Sequence, residues 1–203
     1  MLALDHIAVL GETLDEAALH VEQALGMPML PGGHHARFAT HNRLLGVAPD
    51  WYLEAIAIDP AAPPPDRPRW FGLDRFRGGA RLDKWILRTD DMAAALAALP
   101  MAGEPVDLER DGLRWTMAVP RDGMLPFDGM FPALIQWHSD VPPGKALAKS
   151  GLVLDRLRVS HPRAPELEAL LSPLLVAGPV KFVVAEAGLR ARFTLGETTL
   201  CLS

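Results

Sequence analysis

The 203-residue chain carries a single cysteine, Cys201, which excludes an internal disulfide and a cluster of thiolate metal ligands. Long apolar runs are missing as well. The most suggestive segment, Ala93 to Leu99, falls well short of the ~18 apolar residues needed to cross a bilayer and follows two aspartates. No membrane partner is expected. Lysines and arginines are scattered, and a net charge of −5 gives no field that would gather nucleic acid. The opening MLALDHIAVLGETLDE has no basic region, and acidic residues arrive at once. It reads as neither a secretion signal nor a transit peptide, so a cytoplasmic protein is expected. The nucleophile elbow GxSxG, the phosphate loop GxxxxGK[ST], a GxGxxG after a strand and the HExxH helix signature are all absent. Cys201, in the last apolar stretch, is expected to be a small buried side chain and not a nucleophile.

What is present is ordinary globular material, with 49% hydrophobic and 22% charged residues. Leu2 to Leu10 reads as a strand. Thr13 then offers an N-cap with Glu16 as its capping-box partner, and Leu14, Ala17, Ala18, Val21, Ala24 and Leu25 recur at helical spacing. Gly26 is placed to end that helix in the left-handed conformation. Extended segments are expected at Ala36 to Thr40, Arg43 to Val47 and Trp51 to Ile58, with breakers PGG at 31–33 and APD at 48–50. The proline-rich 60–80 stretch is a loop.

The order β, α, β, β, β then restarts. RLDKWILRT is a strand, Asp90 or Asp91 caps a helix through Leu99, and strands follow near Val106 to Glu109, Leu113 to Val119 and Ala133 to His138. After a linker at 139–151 it restarts again, with the strand VLDRLRVS, the helix APELEALLSPLL and the strands VKFVVAE, LRARFTLG and TTLCLS. The openings LDHIAVL, LDKWILR and LDRLRVS lie on one another, a fold-level repeat. The expected class is α+β, built of repeated βαβββ modules in a cupped mixed sheet. Residues 1–140 form a paired-module unit (modules about 2–59 and 81–139), and 151–203 form a third module. One such sheet leaves an apolar face and a strand edge uncovered. The third module is therefore expected either to pair with its counterpart in a homodimer or to cap the first two.

LDHIAVL, PGGHHARFATHNRLLGV and DWYLEAIA, followed by FGLD, WILRTDD, LRWTMAVP and LIQW, resemble the glyoxalase-like proteins of the vicinal-oxygen-chelate superfamily, over roughly residues 2–138. The resemblance implies a cup formed by two modules side by side. In the metal members each module gives one ligand from its first strand and one from its last, and the metal acts as a Lewis acid. The superfamily spans lyases, dioxygenases, epimerases and binding proteins, so fold does not fix function.

His6 and Glu54 match the first module's ligand positions, and strand parity puts each among apolar neighbours where a titratable group needs a partner. They are the candidate metal ligands, for zinc, nickel, iron or manganese, or else the acid–base pair. Without a metal, burial is expected to raise the pKa of Glu54 and make it the base. In the second module Lys84 aligns with His6, and Ile135 or Gln136 with Glu54. A lysine is a poor metal ligand, so its ammonium is expected to replace the cation and pair with Glu54. His138 is a substitute ligand if the register shifts. His35 and Asn42 match the family's pattern and are candidate substrate-binding residues, with Lys84, Arg114 and Gln136; His34 and His41 replace other residues there. Arg114 could clamp a carboxylate or phosphate. Tryptophans are expected in the core between sheet and helix, while Phe71 and Phe127 close over the mouth of the cup. Two functions remain open. One is binding and transformation of a small oxygenated or anionic molecule; the other is binding without turnover.

Overall fold

The structure is a computed structural model that describes residues 1–47 and 50–203; Ala48 and Pro49 of the expected APD breaker lie outside them. Strand β1 (Ala3–Leu10) leads into helix α1 (Leu14–Leu25). The helix starts where the sequence says it must. Thr13 Oγ1 accepts from the Glu16 amide while the Glu16 carboxylate accepts from the Thr13 amide, and Gly26 closes the other end at φ 68°. Strands β2 (Leu30–His35), β3 (Thr40–Val47) and β4 (Trp51–Ile58) complete the first module. The strand expected at 36–40 lies instead at 30–35, and Ala36–Phe38 is a 3₁₀ turn. The PGG segment does not break the chain because β2 is the edge of the sheet, where a proline's missing N–H costs little.

The second module repeats the plan with β5 (Arg81–Arg88), α2 (Met92–Ala98), β6 (Glu104–Arg110), β7 (Leu113–Val119) and β8 (Ala133–Trp137). Of the two candidate caps, Asp91 is the one used; its carboxylate accepts from the Ala94 amide at 2.9 Å. The two modules form one eight-stranded sheet, ordered β2-β3-β4-β1-β5-β8-β7-β6. In each module the first strand runs parallel to the last, β1 with β4 and β5 with β8, and antiparallel β1 and β5 join the halves. The sheet curls until its two edges approach: Arg110 at the end of β6 lies over Gly33 of β2.

A short helix, α3 (Pro143–Ala146), leads to β9 (Val153–Ser160), α4 (Ala164–Leu171), β10 (Val180–Val183), β11 (Gly188–Leu195) and β12 (Thr198–Leu202). The element order is again βαβββ, but the sheet order is not that of the first two. Here β9 lies between β10 and β11, giving β10-β9-β11-β12. Element order was visible in the sequence, whereas the choice of neighbour for β9 was not. This small sheet covers the outer, convex face of the large one within the same chain. Phe182 meets Trp85 edge-on at 6.1 Å, and Phe193 stacks on Trp51 at 6.1 Å. Leu2 is tied to the far side by its amide donating to Leu174 O and its carbonyl accepting from the Val176 amide, both at 2.8 Å. Helix α1 buries Ala17, Ala18, Val21 and Leu25 on the outer face beside it. Cys201 is exposed on β12, contrary to the buried position expected, because alternation puts it opposite Arg192 on the solvent face and turns its neighbour Leu202 inward.

Candidate functional site

The concave face of the large sheet gathers alternate residues of its strands: His6 from β1, Asn42 and Leu44 from β3, Tyr52 and Glu54 from β4, Trp115 and Met117 from β7, Ile135 and Trp137 from β8. Trp70 and Phe71, from the loop between the modules, close the cup. The unfilled space among these side chains is about 30 Å³, room for a single water-sized group.

A continuous polar chain crosses this apolar lining. Trp137 Nε1 donates to Asp5 Oδ2 at 3.0 Å, and His6 Nδ1 donates to Asp5 Oδ1 at 2.7 Å. On the other side of its ring, His6 Nε2 stands 3.6 Å from Glu54 Oε2. Asn42 Nδ2 donates to Glu54 Oε1 at 2.6 Å, and Asn42 Oδ1 accepts from the Gly33 amide at 2.8 Å and from Arg110 Nη1 at 3.4 Å. Tyr52 stacks on the His6 ring at 4.4 Å. Gly32 and Gly33 make this possible. A Cβ on Gly32 would fall 2.1 Å from Asn42 Oδ1, and one on Gly33 would fall 2.7 Å from Arg110 Nε.

Charge states follow from these partners. Burial alone would lower the pKa of His6, but its hydrogen bonds and charge interactions with Asp5 and Glu54 overcome this and raise it to about 9. Burial likewise pushes Glu54 up, yet the hydrogen bond and charge of His6, with His35 and Asn42, bring it below its ordinary value. This reverses the rise expected from burial. The pair is therefore an imidazolium and a carboxylate. His35 is the opposite case: burial lowers its pKa to about 4, so it is neutral. That fixes its tautomer. Arg110 Nη1 donates to His35 Nε2 at 2.9 Å, leaving Nδ1–H to donate to Thr40 Oγ1 at 3.0 Å.

Two buried donors on cup-lining residues, Trp70 Nε1 and Arg110 Nε, make no hydrogen bond among the described residues, although the exposed Asp111 carboxylate stands 3.7 Å from Arg110 Nε.

A family model described as a glyoxalase-like domain matches residues 4–175. The chain belongs to the glyoxalase-like domain family. The match runs on through β9 and α4, past residue 140 where the sequence reading closed the paired modules. No curated protein matches. Among solved structures, a hypothetical protein from Staphylococcus aureus is 16% identical, aligned over 97% of this chain and 82% of its own, with a TM-score of 0.58. A variant of the Streptomyces coelicolor methylmalonyl-CoA epimerase, in complex with 2-nitronate-propionyl-CoA, is 18% identical over 68% of this chain and 100% of its own, with a TM-score of 0.44. The methylmalonyl-CoA epimerase from Mycobacterium tuberculosis is 17% identical over 66% and 85%, with the same score. The first of these likenesses concerns the fold alone.

Within this glyoxalase-like domain the first module brings its expected residues together and the second does not. Lys84 shares the concave face, since it pairs with Ala8 in the β1–β5 register, but its buried ammonium donates to the carboxylate and carbonyl of Asp83. Burial lowers its pKa, and it makes no pair with Glu54. The Gln136 side chain is spent on the outer face: Oε1 accepts from the Met92 amide at 2.8 Å and Nε2 donates to Asp90 O at 3.1 Å, holding the start of α2. Arg114 lines a different hollow with Asp107, Glu109 and His138, and His138 Nε2 bonds Thr116 Oγ1 at 2.7 Å. Of the aromatics, Trp70, Trp115 and Trp137 face the cup and Trp85 is in the core; Phe71 closes the mouth, whereas Phe127 packs on His161.

The cup does not fit the metal site that the family resemblance implied. Among the described residues only His6 Nε2 and Glu54 Oε2 converge there, and the aligned second-module residues bring no ligand atom to them: Lys84 bonds Asp83 and Gln136 holds the start of α2. His35 Nε2 is taken by a guanidinium, which a cation would have to face. Sequence reasoning missed Asp5, Trp70 and Arg110. A repeat alignment assigns strand positions, and Arg110 becomes a wall of the first module's site only because the sheet curls. No helix among the described residues is long and apolar enough to cross a membrane.

Proposed function

We propose that this glyoxalase-like domain binds a small oxygen-rich, anionic molecule in the cup, with Arg110 and Trp70 donating to its oxygens above the His6–Glu54 pair. The observation that carries this reading is the pair of buried donors on the walls of one cavity, Trp70 Nε1 and Arg110 Nε, without hydrogen-bond acceptors among the described residues, the exposed Asp111 carboxylate standing 3.7 Å from Arg110 Nε. A carboxylate or enolate oxygen satisfies both, and a guanidinium recognises it through paired hydrogen bonds. The lining of Trp70, Phe71, Trp115 and Trp137 suits an apolar or planar body. Because the closed space is so small, admission of the ligand moves the Trp70–Arg75 segment, in which Phe71 holds a left-handed φ of 62°. Transformation of the ligand would use His6 as the acid, charged at neutral pH, and Glu54 as the base.

Binding without turnover is the second reading, and one feature favours it. His6 and Glu54 neutralise one another, so Glu54 is a weaker base than an ordinary carboxylate. The test is titration with oxalate, malonate and pyruvate, followed by tryptophan fluorescence, in the native protein and in Arg110→Met and Trp70→Phe. Saturable quenching that weakens in both variants supports the proposal. Absence of saturation with all three acids, or affinities unchanged by Arg110→Met, overturns it. Proton exchange into pyruvate from heavy water, abolished by Glu54→Gln, separates transformation from binding.

A further inference from the structure

The outer face of the first module carries a second group of potential ligands, which the cup does not use. His34 of β2 and His41 of β3 are directly opposite each other in the ladder, so their side chains emerge together on one face. Asp59, the residue after β4, reaches the same place: its Oδ2 accepts from His34 Nδ1 at 2.6 Å. The ligand atoms of all three lie within 4.8 Å of one another. Alternation along the strands turns these residues away from the cup while His35 and Asn42 turn into it.

We propose that His34, His41 and Asp59 bind a divalent transition-metal ion. Two imidazoles from neighbouring strands and one carboxylate just past a third suit zinc, nickel or cobalt, and not the all-oxygen preference of calcium or magnesium. The carboxylate is already oriented, since its second oxygen accepts from the Ala61 amide at 2.9 Å and the Asp59 amide donates to Ala39 O at 3.0 Å. The neighbouring charges are Arg43 of β3 and Asp15 of α1, which are paired with each other at 2.6 Å and leave the site's own negative charge uncompensated. The His34 side chain is 73% exposed, so it can turn to close a tetrahedron, and a fourth position faces solvent. A bound ion would also pin β2 and β3 together, and with them His35 and Asn42 on the opposite face.

Cobalt(II) titration of the full chain, read by the visible d–d absorption and by zinc competition, tests this. One equivalent should bind, with affinity falling about tenfold or more in His34→Gln, His41→Gln and Asp59→Asn, and staying unchanged in Glu54→Gln. His34→Gln changes an exposed side chain and guards against a folding artefact. No visible band, or binding indifferent to all three variants, overturns the proposal. So does loss of the band in Glu54→Gln, which would move the ion to the cup.

Discussion

Asp5 and Asp83 occupy equivalent bulges on the paired strands β1 and β5, and each holds the cationic side chain that follows it. The register steps from Leu4–Leu87 to His6–Ile86 past an unpaired Asp5, and from Ala8–Lys84 to Val9–Leu82 past an unpaired Asp83. Each bulge lets an aspartate reach the same side as its successor, giving Asp5–His6 and Asp83–Lys84. Asp155 is the same extra residue in β9, where it accepts from Thr194 Oγ1. The repeated Leu-Asp is thus a bulge signature. It also explains why Lys84 never reaches Glu54.

Removing the partner of Lys84 should be costly. Asp83→Ala leaves a buried ammonium with only a carbonyl, and a loss of about 3–5 kcal/mol is expected in urea unfolding. The double variant Asp83→Asn, Lys84→Met should recover most of it. Lys84→Met alone should leave carboxylate binding in the cup unchanged.

The charge on His6 makes stability depend on pH. Its folded pKa near 9 stands above the ordinary 6.5, so its contribution is complete below pH 6.5 and disappears as pH climbs through 9. The contribution at stake is on the order of 3 kcal/mol. Glu54 works in the other direction, contributing above its ordinary 4.5 and fading in acid as pH falls through its depressed value. Urea midpoints measured from pH 6 to 10 should decline in the native protein. The same series in His6→Gln should lose that decline, and what remains should rise with pH, because the folded pKa values of His35 and Lys84 are lowered.

Gly32→Ala should displace Asn42 from Glu54, because the new Cβ would sit 2.1 Å from Asn42 Oδ1. A loss of about 1–3 kcal/mol is expected, the usual cost of overpacking. Carboxylate binding should weaken with it. Gly79→Ala, where a Cβ meets nothing within 4 Å, is the control and should change neither.

Phe193→Ala tests the hold of the small sheet on the large one. Phe193 is fully buried against Trp51, and truncation should cost about 3–5 kcal/mol. The cup, on the opposite face, should bind as before in the folded fraction. A fluorescence titration under native conditions distinguishes the two effects.

Much of this protein is local and was therefore written in the chain. The cap Thr13–Glu16, the stop at Gly26 and the cap at Asp91 depend on residues within a turn of one another, and all stand where the spacing puts them. The βαβββ order depends on periodicity and breakers, and it recurs three times. Parity put His6 and Glu54 each on one face of its strand, and the family resemblance joined them with Asn42 and His35 in the one cavity they line. Tertiary structure decided everything that required knowing which strand lies beside which. It placed β9 between β10 and β11, spent Gln136 on α2, took Lys84 to Asp83 and brought Arg110 across the mouth from the far edge of the sheet. The charge states were also outside the sequence's reach. A buried carboxylate alone has its pKa raised, and only the imidazolium at 3.6 Å and the Asn42 amide turn Glu54 the other way.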